Sequence, residues 1–347
     1  MKKALTIGID FHKKNTQICV MNSQLEIVEE KRISSEDKSL RKFFVNYPKS
    51  LIGIEISGGV FHVAHLLKEC GHEVKILKPD AAKPFRRAGQ KSDRIDARAL
   101  ATALLSGTCE EIYFKEEGVR LLKALLSSRE MLIKQRVMLV CHLRGLLREF
   151  GITMPKGISR FFAQAGEKLM EIESDVLRNQ LCQTYQQIES LKCEEKKLDR
   201  QLEEVYGGDD RVKRLRTIPG VGPVTALCLL TTIGSAERFY DGHQVSSYLG
   251  LAPRQKSSGE KKRFGAITKA GCGLTRRNLI HGARAVLFLS KKEDPMINWA
   301  KNIRNSQAPT NVKVVALASK MARVALALLK NNSAYDPHFG KTSTKAA

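Results

Sequence analysis

Four acidic residues in the first hundred positions carry the chemistry this chain could perform. Asp10 closes the strand-like run LTIGID, Glu55 closes LIGIE, and Asp93 and Asp96 stand three apart in KSDRIDARALA. Carboxylates are hard oxygen ligands suited to Mg²⁺, with Mn²⁺ as the alternative. Two such ions about 3.5–4 Å apart activate a nucleophile and steady the leaving oxygen of a phosphodiester. Taken singly, each acid has an ordinary explanation. An Asp at a strand end is commonly a turn residue, and Ser92 followed by Asp93 and Asp96 reads as an N-cap whose acids complement the helix dipole. Their order and the elements that bear them point instead to a metal-dependent nuclease centre. A chain of formal charge +23 has little electrostatic reason to gather carboxylates at strand ends unless a cation and a polyanionic substrate meet there.

The surrounding elements must bring these acids together. ALTIGID, TQICVMN and LEIVEEK are short β-rich runs suited to a meander. Helical patterns follow at 36–46, 60–70 and 93–105, alternating with the strands LIGIEIS and EVKIL. Three antiparallel strands followed by alternating helices and strands match an RNase H-like α/β domain, in which the first strand and a later neighbour end at one sheet edge. Asp93 and Asp96, at helical spacing, share a face. The rival, a doubly wound nucleotide-binding sheet, calls for a glycine-rich loop after the first strand, but Phe11, His12, Lys13 and Lys14 follow Asp10.

From residue 117 to about 206 the strand signal vanishes. One helix runs to Gly151 and a second over 167–205, where Leu177, Leu191, Leu198 and Val205 recur at multiples of seven. Leu181, Ile188 and Leu202 form a partner seam interrupted by Thr184 and Glu195, as in a helical arm, whether a coiled coil between subunits or a hairpin within one. GGDD at 207–210 opens a predominantly helical C-terminal region with loops around Gly220, Gly259 and Gly271. The expected divisions are 1–112 (RNase H-like), 113–206 (arm), 207–335 (helical C-terminal domain) and a disordered tail at 336–347.

Two C-terminal segments add nucleic-acid signals. In LRTIPGVGPVTALCLL, Gly220 and Gly222 permit a helix–hairpin–helix turn whose backbone N–H groups could approach a phosphate. In YLGLAPRQKSSGEKKRFGAITKAGCGLTRRNLIHGA, Ser257 and Ser258 lie among Lys256, Lys261, Lys262 and Arg263, cations able to hold a phosphate beside a serine oxygen. Charge supports this: 59 Lys and Arg face 36 Asp and Glu, and residues 207–347 alone carry 24 against 8, leaving +16 there and +7 in residues 1–206. Such a surplus seeks phosphate. The eight cysteines are scattered, with no CxxC, which indicates neither a zinc site nor a disulfide framework. No apolar run reaches the roughly 20 residues of a membrane span, so a cytoplasmic, nucleoid-associated protein is expected.

The series GID, GIE, KSDRIDARALA, IPGVGPVTA, YLGLAPRQKSSGEKK and GAITKAGCGLTRRNLIHGA resembles, along nearly the whole chain, the DEDD transposases of bacterial insertion sequences, a family that includes pilin-gene invertases. The resemblance implies a RuvC-like domain carrying Asp10, Glu55, Asp93 and Asp96, and a transposase domain whose nucleophile is the serine before the S-G glycine, Ser258. It further implies cut-and-rejoin recombination of element ends and target DNA through a phosphoseryl–DNA link, a structured guide (bridge) RNA, and a homo-oligomer, a dimer assembling to a tetramer. Gly265, Lys269, Gly271, Arg276 and Arg277 fit the family's glycine- and arginine-bearing motif, and Lys269, Arg276 and Arg277 join the candidate nucleic-acid contacts. Thr275 stands where leucine is usual, a departure that bears on local packing. On the residues alone two other readings stay open: a Holliday-junction-resolvase-like nuclease using water, and a basic nucleic-acid-binding protein whose acids are caps.

Overall fold

The computed structural model describes residues 5–79, 81–86, 92–258, 261–291, 293–303 and 305–338, with the side chains of 256–258 and 261–264 outside that description. The chain divides into two units, residues 1–116 and 117–347.

In the first unit, alternation of β-branched and small residues builds the strands. Ile7 and Ile9 of β1 (Thr6–Phe11) are fully buried on one face, while Gly8 and Asp10 turn to the other. β2 (Asn15–Met21), β3 (Ile27–Ser34), α1 (Asp37–Phe44), β4 (Leu51–Glu55), α2 (Val60–Glu69), β5 (Glu73–Leu77), α3 (Asp93–Ser106) and the two-residue β6 (Glu111–Ile112) follow. The sheet order is β3-β2-β1-β4-β5-β6. β1 to β3 form the antiparallel meander, β4 lies parallel to β1 and β5 parallel to β4, and β6 closes the edge antiparallel. This is an RNase H-like sheet. α1 and α2 cover the face bearing Ile7, Ile9, Ile52 and Ile54, and α3 covers the other.

The second unit is mostly helical. α4 (Glu117–Glu149) is followed by α5 (Ile158–Met170) and α6 (Asp175–Tyr206). The single helix expected over 167–205 is therefore two: Ser174 accepts from the N–H of Leu177 and starts α6 afresh, with Asp175 in its first turn. α6 packs against α4 of the same chain, through Leu143, Leu181 and Ile188. Glu195, which breaks the apolar seam, meets Arg129 and Arg136 of α4, and Arg129 also binds Asp199. α7 (Asp210–Arg216), α8 (Pro223–Ile233), α9 (Gly242–Tyr248), α10 (Gly273–Leu289), α11 (Pro295–Lys301) and α12 (Thr310–Asn331) share a core with the near end of the arm through Leu122, Leu126 and Leu202. The loop expected around Gly259 is flanked by two strands, β7 (Pro253–Ser258) and β8 (Lys261–Ile267), paired antiparallel. PRQKSS and KKRFGAI carry too few apolar residues for a period-2 signal, which is why the strands escape a sequence reading. The tail at 339–347 lies outside the described residues.

Candidate active site

The carboxylate site follows from strand parity. β1 and β4 run parallel with Ile9 opposite Ile54, so Asp10 and Glu55 continue the two strands at one edge. Asp10 shares the parity of Gly8, and Glu55 that of Gly53, which puts both acids on the face under α3. The two glycines let that helix come close. A Cβ on Gly8 would lie 2.1 Å from the Ala97 carbonyl oxygen, and one on Gly53 would lie 2.5 Å from Leu104 Cδ1. Ala97 and Ala101 complete a small-residue stripe along α3. Ser92 caps the helix through the Ile95 N–H at 3.3 Å and so starts it just beyond the sheet edge. Asp93 and Asp96, in its first turn, then join Asp10 and Glu55. Glu30 of β3, its side chain 6% exposed, binds Arg94 and Arg98 and fixes the helix laterally.

The four acids fall into two groups. His12 Nε2 lies 3.1 Å from Asp10 Oδ2 and 3.5 Å from Asp93 Oδ1, and one ligand atom from each of the three lies within 4.8 Å of the others. Asp93 also faces Arg32 at 3.8 Å. On the other side, Arg86 donates from Nη2 to Glu55 Oε2 at 3.2 Å, and its Nε sits 2.8 Å from Asp96 Oδ1. Burial pushes the Asp10 carboxyl above its ordinary value; His12 pulls it back, while the charges of Asp96 and Asp93 add to the rise. Glu55 is raised as well, first by burial, against the pull of Arg86, with Asp10 and Asp96 adding to it. Two carboxylates raised first by burial, with neighbouring acids adding to it, are under-neutralised, the condition that a divalent cation relieves. Asp96, 8% exposed, has an Oδ1 that makes no hydrogen bond and is ion-paired to Arg86 at 2.8 Å, so it is a buried ligand oxygen once the guanidinium moves away. The donor set, oxygens plus one imidazole, fits Mg²⁺ or Mn²⁺.

His12, Arg32 and Arg86 are additions to the acids legible in the sequence. His12 had a signal: two residues beyond Asp10, it continues the same strand parity. Arg86, seven residues before Asp93 but outside any helix or strand, had none.

In the second unit the candidate contacts disperse. Gly220, at φ +83°, sits against α10: a Cβ there would lie 2.7 Å from the Gly282 carbonyl oxygen. Gly222 is the N-cap of α8, and nothing lies within 4 Å of where its Cβ would be. Lys269 is exposed at φ +58°. Arg276 donates to the carbonyls of Leu249 (3.0 Å) and Ala270 (2.7 Å), tying down the segment that leads into α10. Arg277 pairs with Glu130 of α4 at 2.6 Å. Thr275 is buried, and its hydroxyl meets Thr232 Oγ1 at 2.7 Å and the Cys228 carbonyl at 3.2 Å, so the residue that replaces leucine keeps a satisfied polar core position. The β7–β8 register sets Ser258 opposite Lys261, Ser257 opposite Lys262 and Lys256 opposite Arg263. The side chains of these six lie outside the described residues.

An RNase H-like sheet with carboxylates gathered at the end of its paired parallel strands defines a nucleic-acid-processing enzyme suited to divalent metal ions. A family model described as a transposase matches residues 7–152, and one described as the transposase IS116/IS110/IS902 family matches residues 212–296. A Sinorhizobium fredii protein named as a transposase is 33% identical over 352 residues, covering 99% of this chain and 89% of its own. The transposase for insertion sequence element IS1111A of Coxiella burnetii is 30% identical over 344 residues, covering 96% of this chain and 92% of its own. T. thermophilus RuvC in complex with a Holliday junction substrate aligns with 31% of this chain and 99% of its own at 13% identity and a TM-score of 0.25, too low to add to the strand order. The chain belongs to the IS116/IS110/IS902 family of transposases, enzymes that bind DNA, cleave it and rejoin it.

Proposed function

We propose that the protein recombines insertion-element DNA through a phosphoseryl–DNA intermediate, under the guidance of an element-encoded RNA and as a homo-oligomer. The observation that carries the cleavage chemistry is the convergence of Asp10, Glu55, Asp93 and Asp96, with His12, at one sheet edge. Bound Mg²⁺ or Mn²⁺ would supply Lewis-acid polarisation of the scissile phosphate. Asp10, Asp93 and His12 would hold one ion, and Glu55 and Asp96 complete the set. The Ser258 hydroxyl gives up its proton and its oxygen attacks phosphorus. The P–O bond to the 3′ oxygen breaks, and that oxygen leaves protonated as a 3′-hydroxyl, ready to attack the seryl phosphate of a partner strand. Lys256, Lys261, Lys262 and Arg263, close in sequence to the serine, supply charge for the pentavalent phosphate.

Denaturing gels with end-labelled element DNA test this. Wild type is expected to give a covalent protein–DNA adduct that Ser258→Ala abolishes, with Ser257→Ala milder. Asp10→Asn, Glu55→Gln, Asp93→Asn and Asp96→Asn should each lose cleavage and retain DNA binding. Free nicked ends without adduct would make water the nucleophile, and recombination that survives RNase treatment would remove the guide RNA.

A further inference from the structure

The carboxylate site presents two halves in different electrostatic states. The Asp10–His12–Asp93 half carries three donor atoms within 4.8 Å of one another, a geometry ready for one ion. In the other half, the Arg86 guanidinium lies between Glu55 of β4 and Asp96 of α3. Its contacts are uneven. Nη2 makes a hydrogen bond to Glu55, but Nε and Asp96 Oδ1, though 2.8 Å apart and both buried, are not aligned as one. An arginine that only braces a fold frequently engages one carboxylate through two parallel N–H···O bonds. Arg86 instead divides a single positive charge between carboxylates from two elements, as a metal ion bridging them would. It also stands outside any helix or strand, just past the short turn Lys83–Phe85 and in extended backbone (φ −93°, ψ 138°), so its side chain can leave without unwinding an element.

We propose that Arg86 is the internal counter-cation of this site in the DNA-free protein: it closes the Glu55–Asp96 half to a divalent ion while the Asp10–His12–Asp93 half stays open. The inference rests on the metal-dependent reading of the acids. A guanidinium and a divalent ion cannot both occupy the space between the two carboxylates, so metal must displace the arginine. DNA supplies the alternative partner, because a backbone phosphate matches the guanidinium fork. Arriving substrate would thereby complete the metal set and gain an arginine contact in one event, and the DNA-free enzyme would be held at one ion.

This role and a merely structural one predict opposite signs. If Arg86 only positions Glu55 and Asp96, its loss weakens metal binding. If it competes, its loss strengthens binding and lowers the stability of the metal-free chain, since two carboxylates are left facing each other. Calorimetric titration of full-length, DNA-free protein with Mn²⁺ decides between them, with thermal melts in EDTA alongside. Wild type is expected to bind one ion tightly and a second at least about 10-fold more weakly, and Arg86→Gln to tighten the second about 10-fold or more. Arg86→Lys, which keeps the charge but loses the fork, should fall between, and it carries the test if Arg86→Gln does not fold. The gain must vanish in the Glu55→Gln/Arg86→Gln double variant. Unchanged or weaker Mn²⁺ binding in both Arg86 variants overturns the counter-cation role while leaving the metal site standing. No Mn²⁺ binding by wild type and variants alike overturns both.

Discussion

Asp10 and Glu55 are held in the folded chain as reluctant carboxylates, raised first by burial and then by neighbouring acids. An acid whose folded pKa exceeds its unfolded value adds stability that is fully present below the unfolded pKa, about 4, and is lost as pH rises through the folded value. The metal-free protein should therefore lose stability between pH 4 and neutrality on account of this pair. A divalent ion neutralises the charge that causes the loss, so 5 mM Mg²⁺ or Mn²⁺ should raise the melting temperature more at pH 8 than at pH 5. Equal shifts at the two pH values would detach the ion from these acids. Glu30 behaves in the opposite sense. Its hydrogen bond to Arg98, aided by Arg94, outweighs burial and holds its carboxyl below the ordinary value, so its contribution persists above the unfolded pKa and fades as pH falls through the folded one. Glu30→Gln should cost about 1–2 kcal/mol near neutral pH and progressively less as pH falls through the folded value, measured by denaturant unfolding. The four acids were legible from order and element type alone. Arg86 was not, because what places it is the path of the chain after β5, and no local pattern encodes that path.

At the scale of elements, the site depends on how closely α3 lies on the sheet. Gly8→Ala pushes a methyl to 2.1 Å from the backbone oxygen of Ala97, where no rotamer change relieves the clash. The helix must lift, carrying Asp96 away from Asp10. Overpacking of this kind costs about 2–3 kcal/mol, and strand cleavage should fall at least about 100-fold in protein that still folds by circular dichroism. Gly145→Ala is the counterpart: exposed inside α4, with nothing within 4 Å of the new methyl, it should stabilise by about 1 kcal/mol and leave cleavage unchanged. Periodicity revealed β1, β2, β4 and β5 because each buries apolar residues, and β3 through its β-rich run, but it missed the two-residue β6. It failed for β7–β8, whose residues are mostly polar, and for the break before α6, where the helix-favouring run MEIE masks the Ser174 cap. The glycine hairpin at Gly220 also needed the structure to be understood: that glycine is required by close packing on Gly282, and Gly222 presents the open backbone.

At the scale of the whole molecule, the distribution of charge is the property most directly tied to DNA. Residues 207–347 hold +16 and residues 1–206 hold +7. Much of the arginine in the second unit is already engaged: Arg129 and Arg136 by Glu195, Arg216 by Glu203, Arg277 by Glu130. Part of the surplus lies on β7 and β8, where Arg254, Lys256, Lys261, Lys262 and Arg263 take five of the thirteen strand positions beside the proposed nucleophile Ser258. Each phosphate neutralised there releases condensed counterions, so the affinity of the full-length protein for duplex DNA should fall steeply with salt, about 10³-fold between 50 and 200 mM if some six phosphates are engaged. Replacing Lys261, Lys262 and Arg263 together by Gln should reduce the slope of log K against log[salt] by about 2–3, one unit per lost phosphate contact, with little dependence on DNA sequence. A slope unchanged by that triple substitution would place the DNA contacts elsewhere on the second unit. A change confined to one DNA sequence would mean that these residues read base edges and do not grip the backbone.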